Sequence, residues 1–187
     1  MLKVVIHGFN VKDPENSVGR MATKLKESYL WAYGWKGLLG VLFTNKKNAE
    51  KLAKDFLGKT INIVAHSNGA AIAVESAKQG LQIETLVLLM PALKTKTVFP
   101  DNIKKVYVIY TKHDVPTRAA RIADKIPLLQ LLIPNSWGAM GAKGYEGDDE
   151  KVINIAAHDC QGHSKIFKEP QLSYYSEKVA SLTKTVI

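Results

Sequence analysis

Four short stretches of the 187-residue chain hold all five histidines and the only cysteine, with a serine and two aspartates beside them: His7-Gly8-Phe9-Asn10, Ala65-His66-Ser67-Asn68-Gly69, Lys112-His113-Asp114 and His158-Asp159-Cys160-Gln161-Gly162-His163. Each follows directly on an apolar run. A neutral serine hydroxyl is a weak nucleophile, so it needs a base, usually histidine, and that base needs a carboxylate to fix its tautomer and stabilise its charged form. The later stretches offer both, Asp114 after the run ending at Tyr110 and His163 after the run ending near Ala157, giving the chain order Ser, Asp, His. Ala65 and Gly69, two positions either side of Ser67, suit a sharp turn from strand into helix that projects the hydroxyl away from a sheet. The same turn puts the backbone N–H of Asn68 near a helix start, where the dipole favours developing negative charge. The loop after His7-Gly8 offers a second backbone donor, from Phe9 or Asn10.

Each of these residues also has a plainer role. Ser67 alone would serve as a helix N-cap; its ordered partners favour the nucleophile. Asp114 would equally cap a helix beginning near Val115. Among the other carboxylates, Asp101 precedes its strand, Asp124 falls within a helix and Asp159 remains a competitor. His158 competes with His163 as base; His163 lies in the small-residue setting Gly162-His163-Ser164 and has the longer loop with which to reach over a sheet. His66 and His7 suit packing or supporting hydrogen bonds, and His113 a surface position. His158, Asp159, Cys160 and His163 lie within six positions, but tight zinc ligation needs a second matched group and none has the spacing. No metal or cofactor is expected. Trp137, in a glycine-rich stretch, is the candidate substrate contact. The aromatic segment from Tyr29 to Trp35 and the run from Leu128 to Ile133 suit core packing or an acyl pocket.

The elements that would position these residues alternate in kind. Nearly continuous apolar runs near 2–7, 38–43, 60–65, 84–90, 104–110 and 151–157 read as strands buried on both faces. Helical segments fit between them near 17–30, 45–57, 68–79, 115–125 and 171–184, with Ser17 and Asn45 available as N-caps. This alternation predicts βαβ units, hence a three-layer α/β/α sandwich around a largely parallel sheet of about six strands. In such a sheet, ligands sit at the carboxyl ends of the strands, where all four stretches fall. The longest irregular stretch, 127–150, has the length of a binding or active-site loop.

Composition sets the bounds. With 46% hydrophobic and 23% charged residues, the chain (1–187) reads as one soluble globular domain. Cys160, the only cysteine, excludes an internal disulfide. No apolar run approaches the roughly 20 residues that span a bilayer, and no signal peptide precedes the first strand, so a cytoplasmic protein is expected. The excess of 26 basic over 17 acidic residues, +9, is scattered. It would suit an acidic partner, but no nucleic-acid-binding motif accompanies it. Nothing fixes the oligomeric state.

The strand leading into His7-Gly8, the Ala65-His66-Ser67-Asn68-Gly69 elbow, Asp114 after a strand and Gly162-His163-Ser164 near the end together resemble the α/β-hydrolase superfamily. The short chain without an inserted cap resembles its small cap-less bacterial lipases and esterases. The resemblance covers nearly the whole chain in element order. It implies a minimal α/β-hydrolase fold, with Ser67 as nucleophile, Asp114 as acid, His163 as base, and the backbone amides of Phe9 and Asn68 as oxyanion hole. Three departures accompany it: Ala65 replaces the first glycine of G-x-S-x-G, Asn68 follows the serine, and the two strands that precede the His-Gly strand in larger members are missing. The implied activity is a serine esterase, lipase-like, acting on a small or lipid-like acyl substrate through an acyl-enzyme. Alternatives are a thioesterase, amidase or acyltransferase with the same triad, or a non-catalytic binding protein on the same scaffold.

Overall fold

The computed structural model describes residues 1–9, 12–33, 38–117 and 137–184, with the side chains of 38–43 left aside. Six strands, β1 (Lys3–Ile6), β2 (Ser28–Trp31), β3 (Thr60–His66), β4 (Gln82–Leu89), β5 (Ile103–Tyr110) and β6 (Val152–Ala156), form one sheet in the order β2-β1-β3-β4-β5-β6. Every pairing is parallel. The helices are α1 (Arg20–Lys24), entered through a π-turn at Glu15–Gly19, then α2 (Leu38–Asp55), α3 (Gly69–Lys78), the short α4 (Met140–Lys143) and α5 (Gln171–Leu182).

Successive strand residues point to opposite faces, and the core is divided accordingly. Val4, Ile6, Ile61, Ile63, Leu86, Leu88, Val106 and Val108 pack under Ala49 and Leu52 of α2, Phe56 just beyond it, and Ala70, Ala73 and Ala77 of α3. Val5, Val64, Val87, Leu89, Tyr107 and Ile109 pack under Val18, Met21 of α1 and Leu172, Tyr175 and Val179 of α5. Arg20 Nη1 donating to Phe167 O, and the Lys24–Glu169 ion pair at 3.2 Å, tie α1 to the chain around α5. The result is the expected three-layer α/β/α arrangement. Among the described residues no helix is long and apolar enough to cross a membrane.

Five of the six expected strands are present, but the 38–43 run is the first third of α2. A short apolar run carries no period of its own; here no turn separates it from the polar helical segment that follows, and the helix extends through both. Asn45 is therefore inside a helix and not its N-cap. The sixth strand comes from a segment expected to be helical: α1 ends at Lys24, Leu25 is extended, Glu27 takes a φ of +52°, and Tyr29-Leu30-Trp31 pairs with β1. Aromatic residues favour strands, and with only five residues in α1 the helix holds too few turns to override them. Ser17 sits within the π-turn, its Oγ donating to Pro14 O. Of the helix expected at 115–125, residues 118–125 lie outside the described residues, as do 127–136 of the long irregular stretch and the Leu128 to Ile133 run; 137–150 contains α4.

Candidate active site

The strand register brings the four stretches to one edge. Ile6 is level with Ala65, His66 with Leu89, Leu89 with Ile109, and Tyr110 with Ala156. The residues that follow β1, β3, β5 and β6 therefore emerge side by side at the carboxyl end of the sheet.

Between β3 and α3 the chain reverses over two residues. Ser67 makes that turn with a φ of +53°, a left-handed backbone that costs an L-residue energy and persists only where the surroundings enforce it. They do so on three sides. Ser67 N–H donates to Leu89 O, Ser67 O accepts from the amides of Ala70 and Ala92, and α3 packs so closely on β1 that a Cβ at Gly69 would lie 2.6 Å from His7 O. Gly8 approaches from the other side: a Cβ there would lie 2.9 Å from Ser67 Cβ and 3.4 Å from its Oγ. Both glycines are thus required by close approach.

The two amides picked out for an oxyanion hole, at Phe9 and Asn68, have no internal acceptor among the described residues. No side chain caps α3. The Asn68 side chain turns away instead, fully buried, into a network that the sequence does not suggest. Asn68 Nδ2 donates to Asn45 Oδ1 (3.0 Å) and Tyr33 Oη (3.2 Å), while Asn68 Oδ1 accepts from Asn45 Nδ2 (2.9 Å) and Trp137 Nε1 (2.7 Å). Tyr33 Oη in turn donates to Gly8 O, and the Trp137 ring meets Phe9 edge-on at 5.7 Å. Trp137 was the expected substrate contact, and the structure sets it beside Phe9 and Asn68. Asn45 and Tyr33 had no signal in the sequence, because a mid-helix Asn and a Tyr in an aromatic segment have commoner uses.

His7 stacks on Tyr33 with ring centroids 4.0 Å apart, its Nδ1–H donating to Gly8 O and its Nε2 accepting from the Tyr33 amide. Nε2 must be unprotonated to accept, and burial pushes the His7 pKa down in agreement. His66 is fully enclosed, with its pKa driven well below the ordinary value, first by burial and then by the neighbouring His163.

Asp114 is entirely buried. Its Oδ1 accepts from His163 Nδ1 at 2.9 Å and from the Thr117 amide at 3.2 Å, and its Oδ2 has no hydrogen-bond partner among the described residues. Gly141 is packed against that oxygen so tightly that a Cβ would collide with it. With Nδ1–H committed to a carboxylate, His163 presents Nε2 as a lone pair. The His163 loop is held by Thr111 Oγ1 donating to Cys160 O at 2.6 Å, and by His66 Nε2 donating to His163 O at 3.0 Å, with the two imidazoles 4.7 Å apart. Ser67 Oγ and the His163 ring are not hydrogen-bonded to each other among the described residues. Unliganded sites are often loose at this bond. His158, the competing base, and His113 are exposed, and neither is hydrogen-bonded to Asp114 among the described residues. Asp159 accepts from Tyr175 Oη. Burial, helped by the Asp159 charge, pushes the Cys160 thiol up to about 12. Among the described residues no three His, Cys, Asp or Glu side chains converge as a metal site.

No protein-family model matches the chain, and no curated protein matches it. Solved structures match its fold. The esterase domain of a Rhodothermus marinus protein aligns over 96% of this chain and 85% of its own with a TM-score of 0.59 at 8% identity. The Pyrococcus furiosus esterase Pf2001 aligns over 97% and 81% with a TM-score of 0.57 at 14% identity. The NocB thioesterase domain, in covalent complex with a fluorophosphonate nocardicin G analogue, aligns over 98% and 95% with a TM-score of 0.55 at 13% identity. The architecture is a minimal α/β-hydrolase fold.

Proposed function

We propose that the protein is a serine hydrolase that cleaves a carboxylic ester through an acyl-enzyme on Ser67. The observation that carries this is the strained Ser67 turn, set at the same sheet edge as a His163 imidazole already oriented by a buried Asp114. The surroundings hold this buried serine in a left-handed turn at the carboxyl edge of the sheet, and strain of this kind collects at functional sites.

Ser67 Oγ attacks the acyl carbonyl while His163 Nε2 takes its proton. The carbonyl oxygen becomes an oxyanion and accepts from the amides of Phe9 and Asn68. Collapse expels the alcohol, which leaves with the proton returned by His163, and the acyl group stays on Ser67. A water then attacks the acyl-enzyme, His163 takes its proton, and the acid departs as that proton returns to Ser67 Oγ. Asp114 stays ionised throughout, holding Nδ1–H and stabilising the imidazolium. The reaction requires no metal or cofactor.

A fluorophosphonate probe is expected to label the wild-type chain and not Ser67→Ala, and equal labelling of the two would overturn the assignment. The fold likeness to a thioesterase domain supports a second reading, the same residues acting on a thioester. Paired esters and thioesters of graded chain length separate the two. A chain that binds an acyl ligand but neither labels nor turns over would be a binding protein on this scaffold.

A further inference from the structure

Beside the Trp137 segment lies a cavity of about 300 Å³, lined by Lys94, Thr95, Lys96, Lys143, Glu146 and the backbone of Gly138. Its chemistry is one-sided. Lys143 pairs with Glu146 at 3.2 Å, whereas Lys94 and Lys96 have no ion pair among the described residues. The backbone amides of Lys94, Thr95 and Lys96, three in succession, have no internal acceptor among the described residues either. Consecutive free amides flanked by ammonium groups match an oxyanion and suit an apolar or cationic group poorly.

The cavity also has a fixed relation to Ser67. Ala92, two residues before Lys94, donates its amide to Ser67 O at 3.1 Å. Two residues span at most about 7 Å, so the Lys94 backbone lies within about 12 Å of the Ser67 carbonyl. Gly138 is pressed onto Lys94, where a Cβ would lie 2.7 Å from Lys94 Cα, and its neighbour Trp137 bonds Asn68. The chain at Trp137 and Gly138 therefore reaches from the residue after the serine to the cavity wall.

We propose that this cavity binds a carboxylate or phosphate carried by the acyl substrate of Ser67, so that the enzyme prefers anionic esters to neutral ones. This rests on the hydrolase function proposed above. The group sits at the far end of the acyl chain, as in a dicarboxylate half-ester, or on the alcohol side, as in a phosphorylated leaving group; both present the same oxygen-rich anion.

The test compares 4-nitrophenyl hydrogen adipate with its neutral methyl ester, and a phosphorylated alcohol ester with its unphosphorylated counterpart. Each pair is run on wild type, on Lys94→Gln/Lys96→Gln, and on Lys104→Gln/Lys105→Gln, which removes the same charge from the start of β5 at the opposite sheet edge. The expected result is a higher kcat/KM for the anionic member of one pair, reduced about tenfold in the Lys94/Lys96 variant alone. Which pair responds identifies the source of the anion. Equal kcat/KM within both pairs, or equal loss in the two variants, would overturn the proposal. Calorimetry with inorganic phosphate and with adipate on Ser67→Ala separates this from failure of the hydrolase function. Binding abolished by Lys94→Gln/Lys96→Gln and not by Lys104→Gln/Lys105→Gln supports the anion site whether or not fluorophosphonate labels the wild-type chain, so an unlabelled wild type overturns the hydrolase function alone; no binding of either probe would overturn the site itself.

Discussion

Replacing Asn45 with Ala tests whether the buried amide pair holds the oxyanion side of the site. Asn45 makes two hydrogen bonds to Asn68, at 2.9 and 3.0 Å. A typical internal hydrogen bond contributes a net of about 0.5–1.5 kcal/mol, so the two together amount to about 1–3 kcal/mol. Ala at a mid-helix position is favoured over Asn by about 0.6 kcal/mol, which offsets part of this. Asn68 keeps Trp137 and Tyr33 as partners, so neither of its polar atoms is orphaned. A net loss of about 1.5 kcal/mol follows, equivalent to about 3–6 °C in Tm for a chain of this length. Reactivity should fall by more than stability suggests. A fully lost oxyanion donor costs about 2.7–4 kcal/mol in the transition state, and an Asn68 amide loosened but still present should cost about a third of that, roughly five- to ninefold in rate. The assay is the second-order rate of fluorophosphonate labelling of Ser67, well below Tm, beside the KM for a short ester. Slower labelling with KM unchanged is expected, and Asn45→Asp, which sets an acceptor-only carboxylate oxygen against Asn68 Oδ1, should be at least as slow as Asn45→Ala. If Tm drops while labelling proceeds at the wild-type rate, the pair is purely structural and the reasoning fails.

Gly69→Ala places a methyl group 2.6 Å from His7 O and 3.0 Å from Ile6 O, contacts with backbone that has no room to retreat; a loss of about 1–3 kcal/mol is expected in urea unfolding. Wild-type stability would contradict the close approach. The buried histidines give a pH dependence. His7 and His66 have folded-state pKa values held below the ordinary 6.5, so the unfolded chain binds their protons first. Their contribution is complete above about pH 6.5 and is lost as pH falls below it toward the folded values. The urea midpoint should be level from pH 7 to 8 and decline from 6.5 to 5, and a midpoint that rises on acidification would refute this assignment.

The strands that carry Ser67, Asp114 and His163 were legible because each is a continuous apolar run ending in residues that suit neither strand nor helix interior. The far edge was not. The run 38–43 and the segment 28–31 exchange roles, a strand lost and a strand gained, so the expected number of strands was met with different members. The cause is specific: apolar runs of about six residues satisfy both periods, and only the partner across the sheet decides. The same limit hid Asn45. A residue counted as a cap at a helix start proved to be a buried hydrogen-bonding group facing the residue after the serine, and that pairing crosses 23 positions of chain. Amide networks of this kind follow from tertiary contact and leave no periodic trace.

The clasp between Thr111 and Cys160 divides the sheet edge into two blocks. It binds the Asp114 loop to the His163 loop, while Asn68, Tyr33 and Gly8 bind the Ser67 turn to the loop after β1. Across the gap between them, the side-chain hydrogen bond from His66 to His163 O acts as a spacer. Each block is braced internally, so a change at His66 is expected to alter the separation of Ser67 and His163 while leaving the hydrogen bonds inside each block in place.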